Sequence, residues 1–358
     1  MAIEIAPIPL PERLGTPEAR AFEAYAQLAE QLEVELLGTA DVSYTAQELL
    51  VFARDRRYTV REAIGAWDDG RLVGVADLQW EQDADATTAY SVAFGVVPER
   101  RREGIGTSLL GAIEARAGEV GRPTVVVMAS HAFDDGSGER VAPPQGDASL
   151  PVSLPAVRFA SRHGYELGQL DRMSALDVAG RGDEFRRWSS EAHREDGYRL
   201  VTWRDRAPDA LVDSLAAAHQ RMSVDAPAGA ISYEEELWDA ARVRAEEAQA
   251  RDAGRVTLTA AAVAASGEVA GYTALTLPPE KTAVYQDDTL VLGPHRGHGL
   301  GLRMKLANLV ALADTDPART RVYTWNADEN AHMLAINIAL GFTPVAIESA
   351  WQRPSREM

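Results

Sequence analysis

At 358 residues, 46% of them hydrophobic and 25% charged, the chain is long enough for two globular domains, and no run of about 18 apolar residues offers a membrane span. The absence of cysteine excludes disulfides, thiolate metal sites and a cysteine nucleophile. A formal charge of −18 argues against a nucleic-acid partner; it suits a cationic small substrate, and equally an acid excess that only keeps the protein soluble. The opening "MAIEIAPIPLPERLG" lacks a basic segment followed by an apolar core, so a soluble, cytoplasmic protein is expected.

In chain order, helical character runs over 17–37 and 46–54. Two strands, "REAIGAWD" and "RLVGVADLQWE", follow around the turn Asp69-Gly70. A strand over 86–97 enters "VVPERRREGIGTSLL", a helix continues to Ala117, and then come the strand "TVVVMAS", a helix over "PAVRFASRHG" and the strand "YELGQLDRMSALDV". A polar, charged stretch over 179–196 reads as a hinge. The same plan then repeats. It comprises the strand "YRLVTWR", helices over 209–222 and 234–253, strands "RVTLTAAAVAA" and "EVAGYTALTL", a strand over 283–292, "LGPHRGHGLGLRMKL" opening a helix to Ala313, the strand "RVYTWNA", the helix "NAHMLAINIALG" and the strand "FTPVAIESAW". The expected domains are 1–180, a linker 181–196 and 197–358. The fold class is α/β of the α+β type, two lobes each with a mixed, mostly antiparallel sheet flanked by helices.

The two glycine-rich turns carry the chemistry. In the second, Gly297, Gly299 and Gly301 alternate with Arg296, His298 and Leu300 between a strand and a helix. Bare backbone N–H groups and the positive end of a helix dipole there face whatever docks, and phosphate or pyrophosphate is the natural occupant. A tight turn would need glycines too, and neither the dinucleotide fingerprint nor the Walker loop is matched. The pattern nevertheless occurs twice. An offset of 195 residues (299 − 104) places Gly104 on Gly299, Gly106 on Gly301, Arg101 on Arg296 and Val96 on Val291. That spacing suits two copies of one fold.

The R-x-x-G-x-G turn after a strand, followed by Asn330 and Leu340-Gly341-Phe342 in the second lobe and by His163-Gly164-Tyr165 in the first, resembles the GNAT N-acetyltransferases. The two-lobed arrangement is similar to that of mycothiol synthases. The resemblance implies acetyl-CoA as co-substrate, with its pyrophosphate on the loop. The implied cofactor contacts are Leu290, Val291, Arg296, Gly297, His298, Gly299, Leu300, Gly301, Asn326 and Asn330, with Val96, Arg101, Arg102, Gly104 and Gly106 in the first lobe. Asn326 and Asn330 have no counterpart in the first lobe, which instead carries a long Gly-, Pro- and Ser-rich insert over 131–155, expected to be a lid, an interlobe contact or a mobile insertion. The second lobe is therefore expected to be the active one and the first a degenerate partner.

Acyl transfer to an amine needs a proton acceptor, a stabilised oxyanion and a proton for the thiolate. Asp287 and Asp288 are the candidate acids, of which strand alternation puts only one on the substrate face. In the resembled family a Tyr four residues before the glycine of the "GF" motif is the usual general acid. Here Asn337 and Ala160 hold those positions, leaving Tyr323, Tyr285, His332 or water for the step. Met222, Asp225 and Trp238 are candidate substrate contacts. No histidine spacing suggests a metal. Two functions fit: an acetyl-CoA-dependent N-acetyltransferase of a small-molecule amine, or a non-catalytic acyl-CoA-binding sensor or assembly module. Neither nucleic acid nor membrane is expected as a partner.

Overall fold

The computed structural model describes residues 3–83, 85–133 and 137–353. Its first half runs β1 (Glu4–Pro7), α1 (Arg20–Leu37), α2 (Ala46–Arg54), β2 (Thr59–Asp68), β3 (Arg71–Glu81), β4 (Thr88–Ser91), β5 (Phe94–Val96), α3 (Ile105–Glu119), β6 (Thr124–Ala132), β7 (Arg140–Val141), β8 (Leu150–Pro151), α4 (Pro155–Arg162) and β9 (Glu166–Asp177). After α5 (Gly182–Glu191), the second half runs β10 (Arg199–Arg204), α6 (Val212–Asp225), α7 (Ala240–Asp252), β11 (Val256–Val263), β12 (Val269–Leu277), β13 (Ala283–Val291), α8 (Leu300–Thr315), β14 (Arg321–Ala327), α9 (Ala331–Leu340) and β15 (Thr343–Gln352).

Local chemistry explains the boundaries. The turn between β2 and β3 puts Asp69 and Gly70 at φ 49° and 80°, as a two-residue hairpin requires. A capping box opens α2: the Glu48 N–H donates to Thr45 Oγ1 at 3.2 Å, and the Thr45 N–H donates to Glu48 Oε2 at 2.8 Å. The other carboxylate oxygen of Glu48 accepts from Arg255 Nε at 2.8 Å, so one acid starts a helix and ties the lobes together. Thr45→Ala is expected to cost about 1 kcal/mol in denaturant unfolding. A cost near zero would show that Arg255 holds Glu48 in place without the cap.

Thirteen strands form one sheet in the order β1-β2-β3-β4-β6-β15-β9-β14-β13-β12-β11-β10, with β5 also on β3. Every pairing is antiparallel except β4 with β6 and β13 with β14. Those parallel pairs part after Ser91 and Val127 in the first lobe and after Gln286 and Thr324 in the second. The last strands are exchanged: β15 lies between β6 and β9, and β9 lies between β15 and β14. Each lobe's parallel strand is thus flanked by the other lobe's final strand.

Three segments differ from the sequence expectation. The stretch 179–196 contains α5, whose acids Asp183 and Glu184 sit in its first turn while Phe185, 1% exposed, and Trp188 pack into the core beside Leu309 and Leu312 of α8. Its charges are one solvated face. The expected strand over 86–97 is broken into β4 and β5, because the N–H groups of Val92 and Ala93 donate to Asp77 Oδ1 at 2.8 and 2.7 Å rather than to a strand. The helix expected over 234–253 begins only at Ala240, where Asp239 caps it. Ahead of it Glu234 turns to the first lobe and accepts from Thr87 Oγ1 at 2.7 Å.

Candidate active site

Both glycine loops have one construction. Arg101 Nε donates to the Val96 carbonyl at 2.8 Å, and Arg296 Nε to the Val291 carbonyl at 3.0 Å, so each arginine straps its loop back onto the strand that precedes it. The rest of each guanidinium meets an acid from the lobe's first helix: Glu35 at 2.7 Å for Arg101, Asp225 at 3.4 Å for Arg296. Gly104 and Gly299 are the N-caps of α3 and α8, at φ 87° and 67°, and a Cβ on either would meet no atom within 4 Å. Open space therefore lies over the free first-turn amides. Gly106 and Gly301 have another reason: a Cβ would stand 3.3 Å from Phe159 of α4 and 3.2 Å from Ile336 of α9, so these glycines let the two helices approach.

The surroundings of the loops differ. A cavity of about 2110 Å³ opens at the first lobe's loop, taking in Gly104, Gly106 and Thr107, and continues along the parted strands β5 and β6. Its mouth is basic, and among the described residues Arg102, Arg158 and Arg162 have no ion pair there. At the second lobe's loop, Asp196 binds Arg303 at 2.9 Å and stands 3.8 Å from His298, which places a carboxylate beside the loop. None of 296–301 lines the cavity. The open cleft thus belongs to the lobe that the sequence ranked second.

Farther in, the cavity reaches between the lobes and becomes acidic. Asp287 is exposed into it, accepting from Thr276 Oγ1 at 2.5 Å, and burial among protein groups raises its pKa to about 6. Asp288 points to the opposite face and accepts from the Tyr272 hydroxyl at 3.0 Å, beside His219, which stacks on Trp238 at 4.5 Å. Alternation separates the two acids as expected. Glu33 of α1 and Glu348 of β15 also line the chamber.

Several sequence candidates have structural duties. Asn330 caps α9, accepting from the Met333 N–H at 3.2 Å. Asn337, at the family's tyrosine position, is buried; it accepts from Lys305 Nζ at 2.9 Å and donates to Asn326 Oδ1 at 2.5 Å. Ala160 is buried on α4. The hydroxyls of Tyr285 and Tyr323 donate to Asp41, at 2.8 Å to its carbonyl and 2.6 Å to its carboxylate, and His332 is exposed at the start of α9. Leu290 and Leu300 are core residues, while Met222, Asp225 and Trp238 lie outside the lining of the cavity. The insert docks on the second lobe: the N–H groups of Asp147 and Ala148 donate to Asp328 Oδ2 at 2.7 and 2.6 Å, and residues 134–136 of the insert lie outside the described residues.

The sequence reading missed Asp77, His131, Lys305 and Glu348. His131 lines the cavity and shares a 2.7 Å hydrogen bond with Ser349; burial lowers its pKa to about 4, so the ring is neutral. A signal for Glu348 was present. The offset of 177 that matches Ala160 with Asn337 (337 − 160) also matches Asp171 with Glu348 (348 − 171), an acid at the same place in both last strands.

Comparison with known proteins agrees with this geometry. Residues 24–136, within the first lobe, match the acetyltransferase (GNAT) family. No curated protein matches the chain. Among solved structures, the chain is similar to a tandem GNAT protein from the clavulanic acid biosynthesis pathway, with 24% identity over 98% of both chains and a TM-score of 0.72. It is also similar to a GCN5-related N-acetyltransferase from Sphaerobacter thermophilus, with 15% identity over 98% of this chain and 99% of that one and a TM-score of 0.58. A glucosamine N-acetyltransferase region of a fungal multi-domain β-N-acetylglucosaminidase gives 14% identity and a TM-score of 0.61, over 98% of this chain and 38% of that one.

Proposed function

We propose that the chain, whose residues 24–136 match the GNAT acetyltransferases and whose fold is similar to that of a tandem GNAT protein, moves the acetyl group of acetyl-CoA to the primary amine of a small molecule by direct attack, in the cleft of the first lobe. The observation that carries this reading is the cavity running from the Gly104 loop into the acidic chamber between the lobes. The pyrophosphate lies on the amides that begin α3, within reach of Arg102, Arg158 and Arg162 at the basic mouth. The thioester then occupies the opening between β5 and β6. Among the described residues β5 pairs there only with β3, so the amides on its other edge are offered to the carbonyl oxygen and to the oxyanion formed from it.

The amine enters the chamber as an ammonium, attracted by those of Glu33, Glu348 and Asp287 that are ionised. Once deprotonated, its nitrogen attacks the carbonyl carbon, the tetrahedral species collapses, and the C–S bond breaks. The hydroxyls of Tyr285 and Tyr323 are held by Asp41 and His332 lies outside the cavity lining, so the proton left in excess on the nitrogen passes to the departing sulfur. Metal plays no part in this scheme.

The test is release of CoA thiol from acetyl-CoA in the presence of a panel of primary amines. A chain without cysteine gives no background to a thiol reagent. Amine-dependent, saturable thiol release is expected. Saturable binding of acetyl-CoA without release for any amine would favour the acyl-CoA sensor instead.

A further inference from the structure

The exchange of last strands has a chemical result. Glu348 lies directly across from Ser130 of β6 on one side and from Asp171 of β9 on the other. Residues opposite one another in antiparallel strands project from the same face of the sheet. Ser130 stands three residues beyond Val127, where β4 and β6 have already parted, and both Ser130 and Glu348 line the cavity. The carboxyl group therefore comes from the second lobe and stands at the side of the first lobe's cleft. The first lobe offers no acid of its own at the break in its motif strand, where Val92 and Ala93 face the cavity, and Asp77 nearby is occupied by their amides.

We propose that Glu348 is the proton acceptor for the amine that attacks the thioester in the first lobe, so that the active site is completed by the second lobe's last strand. This rests on the acetyl transfer proposed above. Glu348 takes one proton from the ammonium, which frees the nitrogen lone pair. The C–N bond forms as the carbonyl π pair moves to oxygen, and the oxygen pair returns as the C–S bond breaks. The second proton leaving the nitrogen goes to the sulfur, giving the CoA thiol, and the proton on Glu348 returns to solvent through the cavity.

The surroundings suit that task. Burial lifts the pKa of Glu348 to about 8, with Asp171 and Glu33 adding to the rise and Trp325 and Ser130 working against it. Among the described residues none of Glu33, Asp171 and Glu348 has an ion pair. Tyr233 approaches the same acids, as does Glu329 on the far side of Asp171. An ordinary carboxylate is too weak a base for an alkylammonium, whereas one that titrates near neutrality is well matched. Lys281 is the cation whose charge Glu33 feels, and its ammonium is held by the carbonyls of Ala40 and Ser43, so the group of acids still gives a positively charged acceptor a reason to enter.

The experiment compares two probe nucleophiles with acetyl-CoA. Ethylamine is charged at neutral pH and needs a base; hydroxylamine is already neutral and does not. In Glu348→Gln, thiol release with ethylamine is expected to fall by a hundredfold or more, losing the wild-type rise in kcat/KM through about pH 8, while release with hydroxylamine stays within a few-fold. Acetyl-CoA affinity measured by calorimetry is expected to be unchanged, and Glu348→Asp is expected to restore part of the ethylamine rate and its pH limb. Equal losses for both probes, or no loss for either, would overturn the role of Glu348 and leave the transferase standing. Wild-type protein that binds acetyl-CoA and transfers to neither probe would overturn the transfer reading and this proposal with it.

Discussion

Gly104→Val is expected to lower the affinity for acetyl-CoA by roughly a hundredfold or more in calorimetric titration, while Gly299→Val leaves the same site intact. Gly104 sits at φ 87°, a conformation that a β-branched residue resists, and its missing side chain leaves space with no protein atom within 4 Å. A Cβ there meets no protein atom, so the strain of the substitution is confined to the loop backbone and not to a packed core. The valine fills the volume over the α3 amides that a pyrophosphate needs. Stoichiometry decides between lobes: one site lost in Gly104→Val assigns the donor to the first lobe, whereas one lost only in Gly299→Val returns it to the second. Two sites would mean that both loops bind, despite Asp196 beside the second.

The other large effect concerns Lys305. The residue is 1% exposed, with Asn337 Oδ1 as a hydrogen-bond acceptor for its ammonium and the Phe342 ring 5.9 Å away; burial lowers its pKa to about 7. In the unfolded chain the group keeps its proton up to about pH 10.4. Below pH 7 both states are protonated, and the folded state bears the full cost of a buried charge. Between pH 7 and about 10 the unfolded state binds one more proton, so stability rises with pH by about 1.4 kcal/mol per unit from this residue alone. Lys305→Met keeps the volume and removes the charge. The variant is expected to be more stable than the wild type at pH 6, with a difference that shrinks by about 4 kcal/mol as the pH reaches 10. Denaturant unfolding at pH 6, 8 and 10 measures it, and parallel pH profiles for the two proteins would refute the buried charge.

Much of the fold was legible because its signals are local. The turn at Asp69-Gly70, the alternation of β2 and β3, and the glycine loops ahead of α3 and α8 act through residues adjacent in sequence. The break between β4 and β5 was not, since it depends on Asp77, which reaches the amides of Val92 and Ala93 from the neighbouring strand. For the site, the two loops were legible as glycine-rich turns, while the cavity that opens at only the first of them was not. Asn326 and Asn330 look like ligand contacts in a one-dimensional motif, and in the structure Asn330 caps a helix while the half-buried Asn326 accepts from the buried Asn337. The acidity of the chamber arises from α1, β13 and β15, which no window of sequence contains. The 177-residue repeat marks Glu348 as an acid matched with Asp171 but not its place beside the cleft, because its neighbours Ser130 and Asp171 are 218 and 177 residues away (348 − 130 and 348 − 171).

The exchanged strands also constrain how the protein is made. During synthesis the first lobe emerges complete in sequence through β9, yet the pairing of β6 with β15 must wait until residue 352 has been translated. Until then β6 and β9 carry unsatisfied edges, and loop closure over about two hundred residues makes that last pairing slow. The nascent chain thus spends the synthesis of its entire second half with an open sheet, an interval in which a chaperone, or a second nascent chain offering its own β15, can occupy the gap.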